Sequence, residues 1–361
     1  MYFSRRSFLQ WLGAFIYLVF PFHWVNCFAA GKSRDHHMRN GHTNNGMRNF
    51  RARGNGSYEP GYLELHRNGE LKRRGRILWD MMAICDLCPR ECENNRLDGQ
   101  KGDCGSTSQL EVSSYNPHFG EEEPLVGDGG SGTIFMTHCS LRCVYCINWQ
   151  ISMGGTGEKR NIDELAAMML RLQNIGCHNI NVVTLTHYVP HILLALDKAA
   201  ANGLRLPLVY NTSGYEKAEV LRLLHGIVDI YLPDFKYFNS KMAAKYSSEA
   251  SDYPEKAKSA LLEMHRQVGT AKPAGDGLMY HGLMIRHLVL PNDVSDTKNV
   301  IEWVAEHLPQ DTYFHLMSQY QPTYKADQYP RINRSITRTE YSEAFSHARK
   351  MGLTNLNIQH H

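Results

Sequence analysis

From residue 131 onward, short apolar runs alternate with amphipathic stretches. Ile162, Leu165, Ala166, Met169 and Leu172 recur at three- and four-residue steps, which predicts a helix over 162–175 with one buried face. Similar patterns predict helices near 189–202, 216–225, 253–268, 297–307 and 339–350. Between them lie strand-like runs at 132–137, 179–186, 206–211, 227–235, 283–290 and 312–317. Six strand–helix units in succession predict an α/β fold with a parallel sheet and helices outside it. Six are too few for a closed eight-fold barrel. The expectation is therefore an open, partial (β/α)6 TIM-like barrel over 131–361, preceded by a helical segment and a cysteine-rich module over 58–130.

The amino-terminal region has a different pattern. Ser4-Arg5-Arg6-Ser7-Phe8-Leu9 precedes an apolar run from Trp11 to Phe22, which reads as a twin-arginine export signal over 1–30. Residues 11–30 are also long enough to remain as an uncleaved anchor, and Cys27 offers a lipidation site with a poor approach sequence. The expected compartment is exported or membrane-tethered on the periplasmic side, with a cytoplasmic location as the alternative. Residues 31–57 are rich in Gly, Asn and Arg without apolar periodicity, which predicts a flexible basic linker. Membrane contact is expected only through this amino-terminal part.

Composition adds exclusions. The 361 residues are 42% hydrophobic and 21% charged, as in ordinary globular proteins, which excludes a fibrous repeat or a multispan membrane protein. The net charge of +3 is concentrated before residue 58, where Arg5, Arg6, Lys32, Arg34, Arg39, Arg48, Arg51 and Arg53 face Asp35 alone. The remainder is mildly acidic and lacks the basic stripe that nucleic-acid binding requires.

Nine cysteines are present, and seven form two groups. Cys139, Cys143 and Cys146 fall within eight residues, where pairing into disulfides would leave one over. Three close thiolates suit an iron–sulfur cube, and the missing fourth ligand leaves one iron open for chemistry. Cys85, Cys88, Cys92 and Cys104 make a complete four-thiolate set. Structural zinc, a second iron–sulfur cluster and disulfides remain open for it. Cys177 stands before the second strand, at its amino end, and reads as a core residue.

The run His138-Cys139-Ser140-Leu141-Arg142-Cys143-Val144-Tyr145-Cys146 resembles the signature loop of the radical S-adenosylmethionine (SAM) superfamily. That loop is C-x3-C-x2-C with an aromatic residue before the last cysteine. The resemblance implies a [4Fe–4S] cluster on Cys139, Cys143 and Cys146, with SAM on the open iron. Polar residues cluster where the strands end: Thr184, Thr186 and His187, then Asn211 and Ser213, then Asp234 and Lys236, and Arg286. Carboxyl ends of strands are where such barrels place their reactive groups, so these residues and Tyr145 are the candidate cofactor-binding set. Asp234-Phe235-Lys236 and the Arg286 run look like the activating enzymes of glycyl-radical enzymes, in which the lysine and arginine help hold SAM. Thr186-His187-Tyr188, Tyr210-Asn211-Thr212-Ser213-Gly214-Tyr215 and the Cys85 group resemble a pyruvate formate-lyase activase-like group with an amino-terminal cysteine motif. That likeness covers about residues 60–355. The Gly-Gly-Glu found after strand two in most of the superfamily is replaced here by Leu185-Thr186-His187.

The resemblance implies an oxidoreductase served by a low-potential electron donor, acting on a glycyl-radical enzyme. Another peptide or a small molecule is the competing substrate. The reading from another class is an exported iron–sulfur electron-transfer protein, which would need a fourth ligand, and Cys177 is the spare.

Overall fold

Alternating apolar residues and helix signals along 131–350 fold into strands and helices in the anticipated order. The computed structural model describes residues 58–358. The leader 1–30 with Cys27, and the linker 31–57, lie outside the described residues. The first elements are α1 (Tyr62–Arg67) and α2 (Glu70–Asp80), then a stretch of turns, β1 (Leu110–His118) and the one-turn α3 (Glu123–Val126). Next come β2 (Ser131–Met136), α4 (Trp149–Ser152), β3 (Glu158–Arg160) and α5 (Ile162–Asn174). β4 (Ile180–Val183), α6 (Val189–Ala201), β5 (Leu208–Thr212), α7 (Ala218–Leu223), β6 (Ile230–Pro233), α8 (Ser240–Tyr246) and α9 (Tyr253–Val268) follow. β7 (Gly282–Leu288), α10 (Thr297–His307), β8 (Tyr313–Met317), α11 (Arg338–Lys350) and β9 (Leu356–Ile358) complete the order. No helix among the described residues is long and apolar enough to cross a membrane.

The strands form one nine-stranded sheet in the order β3-β1-β2-β4-β5-β6-β7-β8-β9. β2, β4, β5, β6, β7, β8 and β9 pair in parallel. β1 runs antiparallel to both β2 and β3. The protein is thus a mixed α/β fold with a mostly parallel sheet. The antiparallel pair was not anticipated, because β1 lies in the segment read as helix and cysteine module. Two runs are about half as long as expected. The run 179–186 leaves the sheet after Val183, where Thr184 adopts a left-handed backbone (φ 59°) and a 3-10 turn takes over. The run 227–235 pairs as a strand only over Ile230–Pro233. Buried parallel strands read as continuous apolar runs, so hydropathy marks their presence better than their ends.

Helix starts are fixed locally. Asn161 and Glu164 form a reciprocal cap on α5, and Thr337 and Glu340 do the same on α11. Side chains alternate faces along each strand. Val209, Ile230, Leu232, Met284 and Tyr313 share one face and pack with Leu125, Ala271 and Met279 in a small apolar cluster. Two residues further along those strands, on the same face, stand Asn211, Asp234, Arg286 and His315. A polar ring therefore caps an apolar floor at the carboxyl ends of four neighbouring strands.

Candidate active site

The loop after β2 carries Cys139, Cys143 and Cys146. His138 (φ 66°) and Arg142 (φ 55°) take left-handed backbones that turn it, and the Cys146 N–H donates to the Cys143 carbonyl at 3.3 Å. Cys143 is buried, and Cys139 and Cys146 are half-buried. The three thiols lie within electrostatic reach of one another. Burial pushes the Cys139 thiol up to about 12 and raises that of Cys143 as well. Against that, the Lys236 ammonium and a hydrogen bond from Ser247 Oγ (3.1 Å) favour the Cys143 thiolate. Ser152 Oγ lies 3.2 Å from Cys146 Sγ.

Such a set fits a cubane: three sulfurs on one tight loop, with hydroxyls and a cation at hand for the thiolate charge. Among the described residues, no three Cys, His, Asp or Glu side chains are grouped tightly enough to hold a single metal ion. The thiolates of a cubane sit on separate irons, further apart than the ligands of one ion, so a cluster does not need that grouping. The eight described cysteines are all free thiols.

Beside Cys143 is a network of buried charge. Lys236 Nζ donates to Asp234 Oδ2 (2.6 Å), and Arg286 Nε donates to Asp234 Oδ1 (2.8 Å). Arg286 Nη2 donates to Asn211 Oδ1 (2.7 Å), while its Nη1 faces Glu121 Oε2 (3.6 Å) and Glu122 Oε2 (3.9 Å). Burial opposes ionisation of Asp234, but Arg286 and Lys236 outweigh it and hold the carboxyl below its usual range. Burial also opposes ionisation of Glu122; Arg286 and a 3.0 Å contact with His315 Nδ1 outweigh it. Glu121 is the exception. Its burial wins over Arg286, and its carboxyl is pushed up to about 7.

A second acid lies deeper. Glu216 is fully buried and accepts hydrogen bonds from Thr186 Oγ1 (2.5 Å), Tyr210 OH (3.2 Å) and Thr212 Oγ1. Burial pushes its carboxyl up to about 7 in spite of those donors. Thr186 is therefore tied to Glu216, and His187 Nε2 bonds the Thr137 carbonyl at 2.8 Å. Burial holds the His187 imidazole neutral, well below its ordinary value. Tyr145 is buried, its ring packed edge-on against Tyr237 and Tyr320. The Ser213 carbonyl accepts from Tyr253 OH (2.9 Å).

Asn211, Asp234, Lys236 and Arg286 are thus joined by hydrogen bonds, and Cys143 feels Lys236 and Asp234. Thr186 is satisfied within the protein, whereas His187 Nδ1 is buried without a hydrogen-bond partner. Cys177 is buried next to Gly132, near the amino end of β2 and far along the strand from the cysteine loop. The sequence reading missed Glu121, Glu122, Glu216 and His315. The 121–123 acid run looks like a solvated surface. His315 had a signal: a polar residue at the register of Arg286 inside an apolar strand.

Cys85, Cys88, Cys92 and Cys104 occupy the turns between α2 and β1 and abut the reactive loop. The Cys139 N–H donates to the Cys104 carbonyl at 3.4 Å.

Comparison with known proteins bears on this arrangement. A model of the radical SAM superfamily matches residues 133–271, which take in the three-cysteine loop, Asp234 and Lys236. Uncharacterized protein MJ0674 of Methanocaldococcus jannaschii is 30% identical over 302 residues, covering 81% of this chain and 82% of that protein. Uncharacterized protein MJ0808 of the same organism is 23% identical over 274 residues, covering 70% and 74%. With a matching family segment, a relative of this extent and three thiols at the end of the first parallel strand, this chain belongs to the radical SAM superfamily, whose enzymes work with a [4Fe–4S] cluster and SAM.

Proposed function

We propose that the protein is a radical SAM oxidoreductase of the pyruvate formate-lyase activase-like kind, taking a hydrogen atom from a backbone glycine of a partner enzyme. The parallel arc from β2 to β8 is, on this reading, the open partial barrel of that family. The cluster and SAM, when bound, supply one-electron cleavage of the sulfonium bond and a 5′-deoxyadenosyl radical. Cys139, Cys143 and Cys146 hold the cluster. Lys236 and Arg286 offset the carboxylate of SAM by charge-assisted hydrogen bonds, and Asp234 holds the two cations in place between them. Tyr145, Thr184, Asn211 and Ser213 line the mouth around the cofactor, while the Thr186–Glu216 and His187–Thr137 contacts stiffen the ends of β4 and β2. Buried walls keep water from the radical.

The observation that carries this reading is the convergence of Cys143, Lys236, Asp234 and Arg286 from three separate strand ends. The test is anaerobic reconstitution of the full chain with iron, sulfide, SAM and a low-potential reductant. 5′-Deoxyadenosine and methionine are expected. Their absence from well-loaded wild-type protein would refute the chemistry. The Cys143→Ala protein should fold but release neither product. For the substrate, electron paramagnetic resonance should detect a glycyl radical on an added glycyl-radical enzyme; deoxyadenosine formation without one would refute the activase assignment alone. Export through Arg5 and Arg6 is a further part of the proposal. Changing both to lysine should shift a tagged protein out of the exported fraction, and an unchanged distribution would remove that part.

A further inference from the structure

Four cysteines take no part in the chemistry proposed above. Cys85, Cys88, Cys92 and Cys104 lie where turns replace regular structure between α2 and β1. The Cys85 N–H bonds the Asn94 carbonyl (3.2 Å) and the Glu93 N–H bonds the Cys85 carbonyl (3.1 Å), folding 85–94 back on itself. Left-handed backbones at Glu91 and Glu93 make the turn. Gly102 closes the other side. A Cβ there would come within 3.3 Å of Cys92 Sγ and 3.4 Å of Cys104 Sγ, so those two sulfurs converge on one bare point of backbone. Cys85 is within electrostatic reach of Cys92, and Cys88 of both Cys85 and Cys104. The four thiols make one cluster.

An independent observation is Arg96. Its side chain is fully buried. Nε and Nη2 donate to the Thr107 carbonyl (3.3 and 2.8 Å), and Nη1 reaches Cys85 Sγ at 3.7 Å. None of these partners is a carboxylate. His187 and His191 also stand within electrostatic reach of Arg96, but an imidazole is either neutral or cationic and supplies no counter-charge. A buried guanidinium without a counter-charge is strongly unfavourable. Four thiolates around a zinc ion or an oxidised iron–sulfur cluster carry a net charge of minus two. Two disulfides would leave the sulfurs neutral and Arg96 uncompensated.

We propose that Cys85, Cys88, Cys92 and Cys104 hold an iron–sulfur cluster as four thiolates, with Arg96 as the buried cation that balances part of its charge. A zinc ion on the same four thiolates would carry the same net charge, so the metal content of the purified chain separates the two. This centre lies directly behind the reactive loop. Beyond the Cys139–Cys104 backbone bond, Arg142 Nη1 donates to the Asp103 carbonyl (2.9 Å), and Arg90 Nε and Nη1 donate to the carbonyls of Ser140 (2.8 Å) and Ser248 (2.6 Å). Loading the cluster thus fixes the wall against which the three-cysteine loop rests.

The experiment uses the full chain, purified without oxygen, with Cys139→Ala, Cys143→Ala and Cys146→Ala, so that the first site is empty by design and the result does not depend on SAM chemistry. Iron and acid-labile sulfide in equal amounts should remain, with a cluster spectrum, and adding Cys92→Ser and Cys104→Ser should remove about nine-tenths of both. Should the triple variant fail to fold, iron in the wild-type chain should fall by about half on Cys92→Ser and Cys104→Ser alone. Arg96→Gln should make the remaining cluster harder to reduce and weaken its retention against a chelator by about 10- to 100-fold, with Arg96→Lys restoring both. Zinc without iron overturns the cluster assignment. Disulfides among the four cysteines, found by mass spectrometry, overturn the site. An unchanged reduction potential in Arg96→Gln overturns the role of Arg96.

Discussion

Replacing Glu216 by glutamine tests the electrostatics of the strand ends. Its carboxyl is fully enclosed and surrounded by three hydroxyl groups, from Thr186, Thr212 and Tyr210. Burial raises it from 4.5 to about 7, so the folded protein holds this proton more tightly than the unfolded chain. The stability gained from that proton is complete below about pH 4.5 and is lost as pH rises through about 7. Each pH unit between those values is worth about 1.4 kcal/mol, making the whole loss about 3 kcal/mol. Glutamine keeps an acceptor oxygen for the two threonines and carries no charge at any pH. Equilibrium urea unfolding of both proteins, without oxygen, between about pH 5 and pH 9, gives two stability curves. Glu121 and the other shifted groups are common to both, so their contributions cancel in the difference. The glutamine protein should gain about 3 kcal/mol on the wild type from the acid to the alkaline end. Parallel curves would refute the upward shift of the Glu216 carboxyl by burial.

Three further outcomes follow from the same geometry. Arg286→Met strips the shared cation from Asp234, Glu121 and Glu122; it should cost about 3–5 kcal/mol in urea unfolding at neutral pH, and an unchanged midpoint would show that the network is not buried charge. Gly214 has φ +78°, and a Cβ there would lie 2.2 Å from the Asp234 carbonyl oxygen. Gly214→Ala should therefore destabilise by more than about 1 kcal/mol and weaken SAM binding measured by calorimetry, whereas intact affinity would detach Asp234 from the cofactor. Cys177→Ala removes a buried sulfur beside Gly132; stability should fall modestly while deoxyadenosine formation stays unchanged, and abolished turnover with intact fold would place Cys177 at the cluster.

Much of the architecture was legible because burial leaves a periodic mark. α9 and α10 fall at Tyr253–Val268 and Thr297–His307, as their three- and four-residue spacing dictates. The strands were visible as apolar runs, but their ends were not. Thr184 leaves the sheet through backbone geometry that β-branched residues rarely adopt, and hydropathy does not report φ. β1 was hidden because its outer residues alternate among polar types and its partner β2 lies beyond an intervening turn. The candidate site divides similarly. Cysteine spacing and the Asp234–Lys236 pair are local in sequence, so they can be read directly. Glu122 meets His315 across 193 positions, and Arg96 meets Cys85 only after the turns have folded. Such pairings depend on tertiary proximity, which a single sequence does not print.

The antiparallel pairing of β1 with β2 decides how far this protein tolerates trimming. Val112 through His118 register against Met136 back to Ser131, and the Thr137 N–H bonds the Glu111 carbonyl. A chain beginning at residue 131 would retain every parallel strand yet bare one whole side of β2, a row of unsatisfied amides and carbonyls with an apolar face. Edges of that kind recruit other edges, so the shortened product should precipitate or form ladders. The smallest independently folding piece must reach back past Leu110, and with it comes the thiol-rich neighbourhood that shares the Cys104–Cys139 bond.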